Sequence, residues 1–217
     1  MKHVQELIQK HCSEKEIDIH QGLNALLDYL IEFFDYKYYL ESWEEHILQM
    51  KEKSEPLFEV CTIWLNTVTK EMDKGKSIDF FGELYESMYQ SKGKSSTLGQ
   101  FFTPTSICDL MSKLTSHKED GKKEVISDPA CGSGRTLISY YMQSDYHNAY
   151  YIGEDIDIIS VKMCALNMMI HGMKGRVVRH DTLREPVHFD YGFEINEVRY
   201  PIPTPYYSLR RISNPKK

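Results

Sequence analysis

The sequence predicts an α/β protein in two parts: a helical N-terminal lobe over residues 1–90, then a partial doubly wound, Rossmann-like sheet over residues 97–217, truncated after its third strand. Three observations predict it. Apolar residues recur at helical spacing through the first part. Short apolar runs alternate with helical stripes in the second. A small-residue turn, Asp128-Pro129-Ala130-Cys131-Gly132-Ser133-Gly134, joins one such run to one such stripe.

In the lobe, Leu23, Leu26, Leu27, Leu30, Ile31 and Phe34 form one apolar stripe, and Leu57, Val60, Cys61, Trp64, Leu65 and Val68 form another. A third helix is predicted over 80–89, with Leu84, Tyr85 and Met88 inward. Tyr29, Tyr36, Tyr38 and Tyr39 sit among leucines at helical spacing, which reads as packing rather than as a base-stacking surface. Ser91-Lys92-Gly93-Lys94-Ser95-Ser96 is the loop between the parts. Its Gly-Lys-Ser lacks the first glycine and the preceding strand of a phosphate-binding loop.

The second part opens with a helix start. Thr103 suits the N-cap and Pro104 the first helical position, and Ile107, Leu110, Met111 and Leu114 make an apolar stripe beyond them. The pattern then reads strand 123–127, helix 134–144, strand 149–154, helix 157–172, strand 176–180. Asp157 is placed as the N-cap of its helix, and Gly172 as its end. Right-handed parallel connections follow from such a βαβαβ order. Asp128, Asp155 and Asp181 each follow a strand, so three carboxylates line the carboxyl edge of the sheet, where ligands of open α/β folds bind.

The turn itself favours a nucleoside-bearing ligand. Glycines let backbone approach the ligand, and the new helix presents unpaired N–H groups. A dinucleotide turn requires G-x-G-x-x-G, but Leu137 stands where the third glycine belongs. The string Asp128–Gly134 instead resembles the S-adenosylmethionine loop of N6-adenine DNA methyltransferases, including modification subunits of type I restriction-modification systems. Gly99-Gln100-Phe101-Phe102-Thr103-Pro104 resembles the segment that precedes that loop.

The resemblance covers residues 78–184 and implies a site. Phe102 and Thr103 would lie against the methionine end of the cofactor. Asp128, Pro129, Ala130, Gly132, Ser133 and Gly134 would form its loop. Asp155 would take the ribose hydroxyls and Ile156 would lie beside the adenine. Asp181, with Thr182, would accept from the adenine amine, a task that suits an ionised carboxylate. It also implies DNA as a partner. The family's catalytic string, an Asn, Asp or Ser before Pro-Pro and an aromatic, is absent, because the sequence has no Pro-Pro pair. The nearest imitations are Thr204-Pro205-Tyr206 and Asn214-Pro215-Lys216. The catalytic residues are therefore unknown, and the chain is either a methyltransferase lacking its target-base half or a non-catalytic module working through a partner subunit.

Composition bounds the rest. No segment reaches membrane-spanning length, and no signal-like N-terminus is present. Five cysteines without C-x-x-C spacing read as reduced thiols of a cytoplasmic protein. The nine histidines form no ligand cluster, which argues against a metal site. Residues 1–90 carry 9 Lys/Arg against 18 Asp/Glu, while the remainder carries 17 against 14. The basic C-terminal stretch reads as solvated rather than phosphate-bound. The 123–127 strand is expected to leave one edge free. Residues 186–193 or 194–200, where Tyr191, Phe193, Ile195, Val198 and Tyr200 roughly alternate, are expected to cover it in part, with a homo-oligomer or subunit contact completing the cover.

Overall fold

Why each element forms is visible at its ends. The computed structural model describes residues 1–35, 42–90, 102–115, 124–143, 149–184, 189–197 and 207–213. Among the described residues the lobe holds five helices: α1 (Lys2–Lys15), α2 (Ile19–Phe33), α3 (Trp43–Lys53), α4 (Glu55–Met72) and α5 (Phe80–Gln90). Asp18 and Gln21 form a reciprocal capping box at the start of α2. Ser54 caps α4, with a proline in its first turn. Both predicted stripes are buried, and so is Tyr29, whose hydroxyl donates to the Met50 carbonyl. Tyr36, Tyr38, Tyr39, Phe101 and the 91–96 loop lie outside the described residues.

The second part runs α6 (Thr105–Thr115), β1 (Val125–Asp128), α7 (Arg135–Gln143), β2 (Tyr150–Asp155), α8 (Ile158–Ile170), β3 (Lys174–Arg179), β4 (Tyr191–Ile195) and β5 (Leu209–Ile212). Strands β1, β2 and β3 are parallel neighbours, as the βαβαβ pattern requires. Asp157 caps α8 by accepting from the Ser160 N–H, and Gly172, at φ 74°, follows its C-cap. α6 begins one residue later than predicted. The Pro104 carbonyl accepts from Cys108 N–H, so Pro104 is the N-cap and Thr103 lies before it.

Two expectations are corrected, and a third point, which face of α6 is covered, is settled. The sheet does not stop at its third strand: β4 pairs antiparallel with β3, and β5 pairs antiparallel with β4. Proline-rich sequence hides β5, because a four-residue antiparallel strand leaves little periodicity to read. Second, the 191–195 strand does form, yet it covers the β3 side and not β1. Among the described residues β1 keeps one unpaired edge, with Val125 62% exposed. Third, the α6 stripe faces outward. Ile107, Leu110, Met111 and Leu114 are 46%, 53%, 46% and 75% exposed. α6 packs on α7 through its small polar side instead: Ser112 donates to Ser139, and Asp109 accepts from Ser139 and Gln143.

α8 holds the two parts together. Every residue from Ile159 to Ile170 is buried, because the sheet lies on one side of the helix and α2 and α5 on the other. Even Lys162 is buried there, its ammonium 2.7 Å from Asp28 and 2.7 Å from the Asn24 carbonyl oxygen. A single apolar cluster therefore runs from α1 to β5.

Candidate functional site

The turn after β1 is built by backbone geometry. Gly132 and Gly134 have φ of 52° and 87°, in the region where a Cβ is strained. Gly132 also faces the Phe102 ring, so that a Cβ there would stand 3.0 Å from two of its carbons. Asp128 closes the first bend by accepting from Ala130 N–H at 3.1 Å.

Asp155, at the end of β2, ties that turn to its neighbour. One carboxylate oxygen accepts from Gly132 N–H at 2.9 Å and the other from Asp157 N–H at 2.8 Å. The turn also hangs on the β2 backbone through Cys131 N–H and the Glu154 carbonyl, 2.9 Å apart. Beyond β3, His180 N–H donates to the Asp155 carbonyl at 2.9 Å, and its ring nitrogen lies 3.1 Å from the Glu154 carboxylate. Asp181 accepts from the N–H groups of Leu183 and Arg184, each at 3.2 Å, and Thr182 donates to the Pro129 carbonyl at 3.4 Å.

These elements enclose an open cleft of about 390 Å³, lined by Pro129, Ala130, Asp155, Ile156 and the stretch from His180 to Arg184. That volume falls among small-molecule sites. Ile156 is 63% exposed at its rim, an apolar side chain presented to whatever enters. Burial pushes the Asp155 and Asp128 carboxyls above the usual carboxylate range, against the N–H bonds that hold them ionised.

The predicted residues thus divide. Pro129, Ala130, Asp155, Ile156, Asp181 and Thr182 line the cleft. Asp128 and Gly132 are bonded into its floor. Phe102 lies behind the turn, against Gly132 and edge-on to Tyr85 at 5.5 Å. The Thr103 side chain is exposed, and its carbonyl accepts from Arg135 at 3.0 Å. Ser133 is fully buried and donates to Asp79, while Gly134 sits against Cys164.

Sequence reasoning missed Asp79, Arg135, Asn167 and His180. Arg135 directly follows Gly134, and a charged residue opening a helix beside a ligand turn was the one available signal. Among the described residues, no group of three His, Cys, Asp or Glu could hold a metal, and no helix is long and apolar enough to cross a membrane. All five cysteines are buried and unbridged.

A glycine-rich turn, strand-end acids and a cleft at the carboxyl edge of parallel strands make this an α/β domain of the ligand-binding kind. The family model for N-6 DNA methylases matches residues 76–214, and the chain belongs to that family. The match continues past 184, through β4 and β5. N6 methyltransferases in general use S-adenosylmethionine. The chain is 33% identical over 141 residues to the methylase subunit of the type I restriction enzyme MpnII of Mycoplasma pneumoniae, covering 60% of this chain and 25% of that protein. It is 30% identical over 115 residues to the methylase subunit of the type I enzyme MjaVIII of Methanocaldococcus jannaschii, covering 51% and 19%. The matched part therefore spans a quarter or less of these curated relatives. A solved type I restriction-modification methyltransferase subunit from Streptococcus thermophilus is 25% identical and covers 42% of this chain and 22% of that one. Its TM-score of 0.36 is too low to bear on the fold.

Proposed function

We propose that this chain binds S-adenosylmethionine in the cleft at the ends of β1, β2 and β3, as the cofactor half of a DNA adenine-N6 methyltransferase of a cytoplasmic restriction-modification system. The observation that carries the reading is the Gly132 N–H bond to Asp155. It holds turn and acid together facing one cavity. The residues fit the group. Asp155 has lone pairs to spare after its two backbone bonds, which suits ribose hydroxyls. Ile156 offers an apolar surface to a purine ring. Asp181 stands across the cleft as an acceptor for an exocyclic amine, and its turn bonds fix it there. Phe102, behind Gly132, sets how closely the turn backbone approaches the methionine end.

When bound, the cofactor supplies an electrophilic methyl group on a sulfonium. What these residues do is bind, orient and keep water out. None of them is placed to hold a target adenine, whose amine is a poor nucleophile needing acceptors of its own and an aromatic to stack a flipped base. That half would come from a further polypeptide segment or partner subunit. The unpaired β1 edge and the outward apolar stripe of α6 favour this, since both are surfaces that normally receive cover.

Calorimetric titration with S-adenosylmethionine and its demethylated product tests the proposal. Both should bind. Asp155→Ala should weaken binding by about 1.5–3 kcal/mol, by removing a charge-assisted acceptor. Binding of NAD with no response to either form would refute it. The purified chain alone should transfer no labelled methyl to DNA; transfer by the isolated chain would overturn the half-site reading while leaving cofactor binding intact.

A further inference from the structure

Behind the turn, on the side away from the cleft, lies a polar cluster that the proposed cofactor contacts do not use. Asp79, just before α5, is 4% exposed. Its carboxylate is saturated. One oxygen accepts from Gly82 N–H at 2.8 Å and from the Asn167 amide at 2.7 Å. The other accepts from the Ser133 hydroxyl and from Arg135 Nε at 2.8 Å. Asn167, fully buried on α8, also donates to the Ser133 carbonyl at 2.9 Å. Arg135 continues outward, donating to the Thr103 carbonyl at 3.0 Å and to Glu86 at 3.2 Å, with its guanidinium 5.6 Å from the Phe102 ring centre.

One buried carboxylate thus joins α5, α8, the segment before α6, and the two residues flanking Gly134. A stability role alone does not require this arrangement, because a buried charge cluster is weak evidence for net stabilisation against apolar packing. A carboxylate whose two oxygens each accept two hydrogen bonds, from donors on separate segments, fixes those segments in one local geometry. Here the geometry specified is that of a turn with two residues at positive φ, tied to β2 on the cleft side and to Asp79 on the other. We propose that Asp79 is a positioning residue. It sets the conformation of the 132–134 turn from the helical lobe, and cofactor affinity depends on it although it lines no part of the cleft. This rests on the cofactor reading above.

The full chain is the test object, in three forms. Asp79→Asn keeps the shape but cannot accept four donors as a carboxylate does. Leu84→Ala removes a fully buried apolar side chain from the same helix and none of the cluster's hydrogen bonds. Both are titrated with S-adenosylmethionine at a temperature where circular dichroism shows them folded. Asp79→Asn should weaken binding about ten- to a hundredfold, the range expected when a supporting contact to a binding group is lost. Leu84→Ala should bind as wild type does. The Gly132 and Gly134 amide resonances should move in Asp79→Asn and stay in Leu84→Ala. Unchanged affinity and amides in Asp79→Asn, or equal losses in both variants, would overturn the proposal.

Should Asp79→Asn not fold, Glu86→Gln loosens Arg135 from the half-exposed end. It should shift the same two amides and weaken binding about two- to threefold, and no change there would equally overturn the idea. If wild type binds neither cofactor form, the cofactor reading falls. The amide spectra then decide separately whether Asp79 sets the turn.

Discussion

Gly175→Ala should abolish the cooperative fold or cost more than about 3 kcal/mol, the range of severe steric and backbone lesions. Gly175 lies in β3 opposite Tyr151 of β2. A Cβ at this position would stand 1.9 Å from the Tyr151 carbonyl oxygen and 2.8 and 2.9 Å from its carbonyl carbon and amide nitrogen. Those atoms are backbone of a central strand and cannot swing aside like a side-chain tip. The two strands would have to part, and β3 carries His180, Asp181 and Thr182 at its end. Urea unfolding measures the effect. A midpoint implying a loss under about 1 kcal/mol would show that the sheet absorbs a methyl group here.

Acid should destabilise the protein well above the usual carboxylate range, through His171. Its ring is buried after α8, with Nδ1 2.7 Å from the Asn167 carbonyl and Nε2 buried without a partner among the described residues. Nδ1–H is therefore the donor and the ring is neutral. Burial depresses its pKa from 6.5 to about 4. For a group depressed on folding, the contribution is present above the unfolded pKa and lost as pH falls through the folded one. Between about pH 7 and about pH 4.5 the loss amounts to about 2–3 kcal/mol, at about 1.4 kcal/mol per unit. His11, also depressed chiefly by burial, adds in the same direction. Asp155, Asp128 and Glu83 oppose it: their carboxyls are raised by burial, so their contribution is present at low pH and lost as pH rises. Thermal melts across that window should show His171→Leu losing much less than wild type. Equal slopes in both proteins would assign the acid sensitivity elsewhere.

How far the sequence disclosed the molecule depends on the kind of signal. Helices of the lobe were legible because stripes such as Leu23 to Phe34 repeat at 3.6 residues and are buried as one face. The parallel strands were legible because β1 and β2 each end in an acid and lead into a helical stripe, and β3 contains an apolar run with Asp181 just after the strand. β4 was legible as a strand, but its pairing with β3 was not, and β5, four residues set among prolines, was not legible. The α6 stripe was read correctly as a stripe, but periodicity says which residues share a face and not whether anything covers it. In the site, Asp128, Asp155 and Asp181 could be named from spacing. Asp79 could not, because the distance from Asp79 to Ser133 is 54 residues of chain and no local pattern links them. Long-range polar closure is a property of the folded core alone.

α8 gives the chain an indivisibility that its two-part sequence conceals. A helix buried on both sides belongs to neither part. Cutting the chain near residue 95 would uncover the lobe-facing side of α8 in the C-terminal piece, its apolar residues together with Lys162 and Asn167, which lose their partners Asp28 and Asp79. It would leave the N-terminal piece with an open groove. Neither fragment is expected to stay soluble, and co-expression of the two should recover what separate expression loses. The same arrangement lets news of an occupied cleft travel. Ligand bound at the strand ends should slow amide exchange in α2 and α5 through a shared opening reaction, with no contact between ligand and lobe.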